Sequence, residues 1–130
     1  MVKLAYTILY VKDVPKAISF YEKAFGMTRK FIASGEQYGE LITGATTLSF
    51  ASVKLAKTNL TDGFSESGLK KKPFGIEIGL TTEDVELTFN EAVAAGATPV
   101  EKAKTKPWGQ VVAYIRDLDG FLIELCTPMG

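Results

Sequence analysis

Apolar residues in this chain follow two different periods, and the two periods alternate along the sequence. Residues 4–11 are nearly all aliphatic, aromatic or β-branched, which is typical of a buried strand. From Val14 onwards apolar side chains recur every three to four residues, which predicts a helix with one apolar face. Asp13 precedes this helix as its cap, and Gly26 is placed to end it. Three short strands are predicted to follow, at about 27–33, 36–43 and 45–52.

The second half of the chain repeats this order of elements. Residues 74–80 predict a strand, and Thr82 is expected to cap a helix that ends near Gly96. Asp119-Gly120 is a strong hairpin-turn signal between the last two strands. The three strands after the helix are predicted at about 98–104, 110–116 and 121–126.

The repeat is also visible residue by residue. Asp13-Val14 recurs as Asp84-Val85, 71 positions later, and Gly26-Met27-Thr28 aligns with Gly96-Ala97-Thr98 at an offset of 70. Two tandem βαβββ modules therefore predict an α+β fold, with module one at about 1–52, a connector at about 53–73 and module two at about 74–130. Neither half is long enough to bury one face of a four-stranded sheet easily, so we expect the halves to pack together or a homodimer to form.

Composition narrows the class of protein. The chain has 130 residues, which is the size of one domain, and its 15 Lys+Arg balance 15 Asp+Glu. The absence of a basic excess argues against a nucleic-acid partner, and no apolar run approaches the roughly 18 residues of a membrane span. The single cysteine, Cys126, and the lack of a secretory signal pattern predict a cytoplasmic protein, with this thiol a small buried hydrophobe.

Histidine is absent from the sequence. Mechanisms that need imidazole as a base, a nucleophile's partner or a metal ligand are therefore excluded within this chain. The connector carries five lysines against Asp62 and Glu66. It is interpreted either as a solvated linker or as a basic flap that attracts an anionic ligand.

Two segments carry a family resemblance. The stretch from Leu9 to Gly26 (LYVKDVPKAISFYEKAFG) and the closing stretch from Pro107 to Leu125, which includes Arg116-Asp-Leu-Asp-Gly120, resemble the two modules of the vicinal oxygen chelate superfamily. That superfamily contains glyoxalase I, bleomycin-resistance proteins and extradiol dioxygenases, and the resemblance is strongest to the bleomycin-resistance-like branch. It implies curved mixed sheets that form a cup for a ligand, with helices outside, usually completed in a homodimer.

The resemblance also implies where a divalent metal would bind in enzymes of this superfamily. One side chain comes from each of four strands, and the matching positions here are Tyr6, Ser49, Glu77 and Glu124. None of the four is histidine, so no metal cofactor is expected. If a metal were present, Ser49, Glu77 and Glu124 would be its ligands, and this oxygen-only set would favour Mg²⁺ or Mn²⁺.

Glu77 and Glu124 lie on apolar strands, out of phase with their aliphatic neighbours. They are interpreted either as anchors for a cationic group, or a general base, or as ordinary surface carboxylates. Aromatic residues provide further candidate walls for a pocket. The predicted ligand-binding residues are Tyr6, Tyr10, Ser49, Phe50, Glu77, Trp108, Tyr114 and Glu124.

Three functions remain open. The first is a metal-independent protein that binds or sequesters a small amphipathic ligand, such as a cationic, antibiotic-like compound. The second is a lyase or isomerase of the glyoxalase I or epimerase type, in which Glu124 or Glu77 abstracts a proton beside a carbonyl with a divalent metal. The third is a non-catalytic interaction module. Extradiol dioxygenase activity is excluded, because the resemblance implies a ferrous site with two histidines for it.

Overall fold

The computed structural model describes residues 1–129 as two compact units, one from Met1 to Glu66 and one that begins at Ser67. Each unit contains a four-stranded mixed sheet with a helix on one face. The predicted pair of βαβββ modules in an α+β fold is thereby confirmed.

The first unit has the strand order β1-β4-β3-β2, with β1 and β4 parallel and the other neighbours antiparallel. Its parallel pair follows from the helix that crosses between β1 and the rest of the sheet. The elements are β1 (Tyr6–Val11), α1 (Val14–Phe25), β2 (Thr28–Ile32), β3 (Tyr38–Ile42), β4 (Thr47–Ser52) and α2 (Val53–Asn59).

Helix α1 begins and ends where the sequence predicts. The carboxylate of Asp13 accepts a hydrogen bond from the backbone N–H of Lys16, and Gly26 adopts the left-handed conformation with φ of 66° at the end. The apolar face of the helix packs on the sheet, where Ile18, Tyr21 and Phe50 are fully buried. Tyr21 and Phe50 place their ring centroids 5.2 Å apart, so aromatic packing joins α1 to β4.

The second unit repeats this topology with the strand order β5-β8-β7-β6. Asp84, and not the predicted Thr82, caps its helix, because the Asp84 carboxylate accepts from the backbone N–H of Leu87. The Thr82 hydroxyl lies 2.7 Å from that of Thr88 instead. The elements are β5 (Glu77–Thr81), α3 (Val85–Ala94), β6 (Thr98–Thr105), β7 (Val111–Arg116) and β8 (Leu122–Cys126).

The predicted connector contains ordered structure in both units. Its first part forms α2, whose cap is Ser52, and Phe64 packs edge-on against Tyr10 with ring centroids 4.8 Å apart. Its last part, from Ser67 onwards, belongs to the second unit. The interpretation of residues 53–73 as a solvated linker is therefore incomplete.

Arg116 attaches this last part of the connector to the second unit. Its buried guanidinium donates hydrogen bonds to the backbone carbonyls of Gly68 and Lys71, at 3.0 and 2.8 Å, and its Nε donates to Gly120 at 2.9 Å. Gly120 is required at the predicted turn, because its φ is 91° and a Cβ there would lie 2.8 Å from the guanidinium.

No helix among residues 1–129 has both the length and the apolar character to cross a membrane.

Candidate functional site

Strand alternation gives each sheet one face against its helix and one face turned away from it, which we call the open face. In the first unit Leu9, Leu41 and Phe50 are buried toward α1. The alternate positions lie on the open face of the first sheet. They are Tyr6, Ile8, Tyr10, Tyr38, Glu40, Ile42 and Ser49.

In the second unit Ile123 and Leu125 are fully buried, and the open face carries Glu77, Tyr114 and Glu124. The two predicted glutamates therefore share one face of one sheet. Glu124 pairs in register with Gly79 on β5, two residues along from Glu77, so the two carboxylates are diagonal neighbours.

The strand registers confirm that the two open faces are equivalent. A row of directly paired residues crosses the first sheet as Ile8, Ser49, Glu40 and Phe31. The corresponding row in the second sheet is Gly79, Glu124, Tyr114 and Glu101. Tyr6 pairs with Thr47 as Glu77 pairs with Leu122, so Tyr6 corresponds to Glu77, and Ser49 corresponds to Glu124.

Glu124 is held by a tyrosine on the neighbouring strand. The Tyr114 hydroxyl donates a 2.8 Å hydrogen bond to Glu124 Oε1. This bond, followed by burial, raises the pKa of Tyr114 to about 12, so the phenol remains a donor through the neutral range. Partial burial, and then the neighbouring charge of Glu124, raise the pKa of Glu77 above its usual range. The arrangement is an acidic site whose one tyrosine stays protonated.

Substituting Glu124 by glutamine should lower the pKa of Tyr114, because the charged acceptor that favours the phenol is removed. An NMR pH titration of the tyrosine ring signals would measure the shift. Between pH 10.0 and about 12, a larger fraction of Tyr114 should be ionised in the variant than in the unchanged protein at the same pH. Tyr38, in the other unit, is the internal control, and an unchanged Tyr114 titration would contradict the assigned cause.

The same titration has a consequence for stability. The folded protein binds the Tyr114 proton more tightly than the unfolded chain does, so this group's contribution to stability is complete below pH 10.0 and is lost as the pH rises toward about 12.

A second carboxylate–tyrosine pair lies on the open face of the first sheet, and the sequence analysis missed it. The Tyr38 hydroxyl donates a 2.7 Å hydrogen bond to Glu40 Oε2, and Lys30 Nζ lies 3.7 Å from Oε1. Glu40 is only 7% exposed. Burial, to which the Glu40 contact adds, raises the pKa of Tyr38, although a hydrogen bond with Ser49 opposes the shift. The signal available in the sequence was the alternation Tyr38-Gly-Glu40-Leu, the same pattern of an acid among apolar residues that marks Glu77.

The predicted aromatic residues are divided between the two units, with Tyr6, Tyr10 and Phe50 in the first and Trp108 and Tyr114 in the second. Tyr6 is 53% exposed on the open face of the first sheet, and Tyr10, on the same face, packs against Phe64. Trp108 lies in a loop of the second unit, 63% exposed, where its indole N–H donates a 2.9 Å hydrogen bond to the Gln110 side chain.

Phe50 requires a correction. It was predicted to line the ligand pocket together with Ser49, but consecutive residues of a strand face opposite sides. The structure buries Phe50 completely against α1, so its ring is core and has no surface to offer a ligand. Ser49 is also fully buried, with its Oγ 3.5 Å from the Thr7 carbonyl. Cys126 is buried as predicted, and burial raises the pKa of its thiol.

The four positions implied as metal ligands do not fit a transition-metal centre. Tyr6 offers a phenol and Ser49 a buried hydroxyl, and only Glu77 and Glu124 are carboxylates. Within residues 1–129, no group of three or more Asp, Glu, His or Cys side chains is placed to hold a metal ion.

One cavity of about 280 Å³ lies at the start of α1 in the first unit, and no predicted site residue is part of its lining. The Asp13 carboxylate in its wall is already used as the helix cap. Its lining is formed by Lys12–Pro15, Gly35–Gln37, Ser52 and Lys54.

Comparison with known proteins identifies relatives in sequence and in fold. An uncharacterised protein of Mycobacterium bovis, Mb0911c, is 30% identical over 123 residues, which cover 93% of this chain and 80% of the relative. A glyoxalase-related enzyme from Fulvimarina pelagi superposes with a TM-score of 0.83 at 20% identity, covering 100% of this chain and 94% of that one. A glyoxalase/bleomycin resistance protein/dioxygenase family enzyme from Burkholderia phytofirmans PsJN gives 0.84 at 19% identity, covering 98% and 100%.

These solved structures share the fold. The sequence profile of one family matches residues 3–125, which is nearly the whole chain and includes both carboxylate–tyrosine pairs. The chain belongs to the Glyoxalase/Bleomycin resistance protein/Dioxygenase superfamily.

Proposed function

We propose that this protein binds a small amphipathic ligand without a metal, and that Glu124, assisted by Glu77, anchors a cationic group of that ligand. The observation that carries the proposal is the pairing of Glu124 with Tyr114. The Tyr114 hydroxyl, on the neighbouring strand, donates a hydrogen bond to Oε1 of Glu124. The neighbouring Glu77 adds a second acidic group on the same face. An organic cation would relieve the repulsion between the two acids.

The flanking groups support an amphipathic ligand rather than a bare ion. Leu122 is partly exposed beside the two glutamates, and Tyr114 offers an aromatic ring within the same row. Aromatic rings attract organic cations through their faces, and apolar contacts stabilise the remainder of such a ligand. A cationic, antibiotic-like compound has both features.

Binding should depend on the charge of Glu124. Phenethylammonium is a suitable probe, with phenethyl alcohol and 3-phenylpropionate as neutral and anionic probes of nearly the same shape. We expect the ammonium to shift amide NMR signals of β5, β7 and β8, and Glu124→Gln to weaken this binding about tenfold, the effect of losing one charged hydrogen bond.

Glu101→Gln is the matched control for this prediction. It removes the same charge from the same row of paired residues, but at an exposed side chain that lies 3.9 Å from Lys104. It should leave the affinity for phenethylammonium nearly unchanged. Equal binding of the ammonium and the alcohol, or equal losses in both variants, would contradict the proposal.

The lyase or isomerase alternative is supported by a different observation, the raised pKa of Glu77, which is a common property of a general base. Elemental mass spectrometry on chain without a histidine tag separates the two functions. Stoichiometric Mg²⁺ or Mn²⁺ that is lost in Glu124→Ala would favour the enzyme.

The proposal includes a homodimer in the cytoplasm. The apolar side chains of Ile8 and Ile42 are 43% and 57% exposed on the first sheet, and a second subunit would remove such surface from water. Sedimentation equilibrium measures the state directly, and a monomer at all concentrations would contradict it.

A further inference from the structure

The cavity at the start of α1 is not used by the proposed function. Its lining comes from three segments of the first unit, which are the loop from β1 to α1, the hairpin between β2 and β3, and the start of α2. Ser52 shares its side of β4 with the buried Phe50, so this part of the wall is on the side of the sheet that faces α1. The volume of about 280 Å³ is just below the roughly 300–1,000 Å³ of pockets for drug-sized ligands, which favours a small occupant.

Hydrogen bonds hold the walls of this cavity in place. The hydroxyl of Ser52, a residue that is 5% exposed, donates to Oε1 of Gln37 and accepts from the backbone N–H of Leu55. Nε2 of Gln37 donates to the Gly35 carbonyl at 3.1 Å, and the backbone N–H of Ser52 donates to the Gln37 carbonyl at 2.8 Å. The hairpin is thus fixed to the start of α2 before any ligand binds, which lowers the entropy cost of binding.

Two charged residues of the lining have side chains without a partner. Among residues 1–129, the Glu36 carboxylate and the Lys54 ammonium form no ion pair with each other or with another side chain. The start of α1 is not itself an anchor, because the Asp13 carboxylate already accepts from the backbone N–H of Lys16. The lining contains two lysines and two acids, so its formal charges cancel. This balance favours a ligand that carries both charges over a ligand with one net charge.

The backbone of Glu36 gives an independent reason to assign this residue a role. Its φ is 58°, and it is the one residue other than glycine with a positive φ within residues 1–129. A residue with a Cβ is strained in this left-handed region, which glycine adopts freely. The strain occurs at a residue whose carboxylate has no structural partner, and strained backbone of this kind is typical of binding sites.

We propose that this cavity binds a small amino acid zwitterion, with Lys54 as the partner of its carboxylate and Glu36 as the partner of its ammonium group. The two side chains belong to different segments and do not pair with each other, so the ligand bridges them. A molecule with only one of the two charges leaves the other side chain unpaired and binds more weakly.

The test is an amide NMR titration of the full chain with 4-aminobutyrate. Butylammonium and pentanoate are the matched probes, because each keeps one of the two charges on an aliphatic body of similar length. The zwitterion should shift signals of residues 12–14, 35–37 and 52–54, and it should bind about tenfold more tightly than either matched probe.

Lys54→Gln and Glu36→Gln should each weaken 4-aminobutyrate binding about tenfold, because each variant loses one charged hydrogen bond. Lys57→Gln is the matched control, since it makes the same change three residues further along α2 and outside the lining. It should leave the affinity unchanged.

Glu36→Gly distinguishes a binding role from a structural one. Glycine adopts the left-handed conformation without strain, so this variant should unfold at no lower urea concentration than the unchanged protein while its binding of 4-aminobutyrate falls about tenfold. A lower urea midpoint in Glu36→Gly would mean that the carboxylate is structural and would overturn the proposal. Equal binding of the single-charge probes, equal losses in Lys54→Gln and Lys57→Gln, or no shifts at the lining would overturn it as well.

Discussion

Replacing Arg116 by alanine is expected to lower the free energy of unfolding by about 3–5 kcal/mol. Several backbone carbonyls lose their charged hydrogen-bond donor in this one substitution. The guanidinium is 7% exposed and donates to backbone carbonyls of Gly68, Lys71 and Gly120. The alanine variant leaves these carbonyls of the second unit with no charged hydrogen-bond donor. Urea denaturation followed by circular dichroism gives the change.

Arg29→Ala is the matched control for this result. Arg29 donates a 2.8 Å bond to Glu22, but its side chain is 40% exposed, so its loss should cost no more than about 1 kcal/mol. Arg116→Lys should recover only part of the stability, since one ammonium cannot reproduce the planar fork of donors. If the Arg116 and Arg29 variants were equally stable, the buried bonds would not carry the predicted energy.

Phe50→Ala should be comparably destabilising, by about 3–5 kcal/mol, since it removes a fully buried ring and leaves a cavity between β4 and α1. The comparison is Phe31→Ala, the same change on the open face of the same sheet, where the ring is 39% exposed and the cost should be about 1 kcal/mol. Thermal and urea unfolding measure both variants.

The same pair of variants tests which side chains of the first sheet belong to its core. Equal stability losses in the two variants would mean that the assignment of faces in the first sheet is incorrect.

Periodicity predicted most of the fold because apolar alternation and helix caps are local signals. The eight strands and α1 follow from runs such as residues 4–11 and from Asp13 and Gly26, which act within a few residues. Helix α2 was missed because Val53–Asn59 is short and carries lysines, so its apolar positions resemble those of a linker. The cap at Ser52 was the available signal.

The site was less predictable because it depends on which strands are neighbours. The positions of Glu77 and Glu124 could be inferred from the family resemblance, whereas the alternation of residues 38–41 was the only local signal for Glu40. A single acid in a strand resembles a surface residue until β3 is placed between β2 and β4. Pairing then puts Glu40 beside Ser49, just as Tyr114 lies beside Glu124. The Phe50 error, in contrast, was avoidable, because Ser49 and Phe50 cannot face the same side of a strand.

The division of the connector determines where this chain can be lengthened or cut. Phe64 packs against Tyr10, and Lys57 Nζ lies 3.8 Å from the carboxylate of Glu66. Arg116 donates hydrogen bonds to the backbone carbonyls of Gly68 and Lys71. The first unit ends at Glu66 and the second begins at Ser67. A flexible insertion there should leave the contacts within each unit intact, and a chain divided there would give two fragments that each keep their own share of the connector.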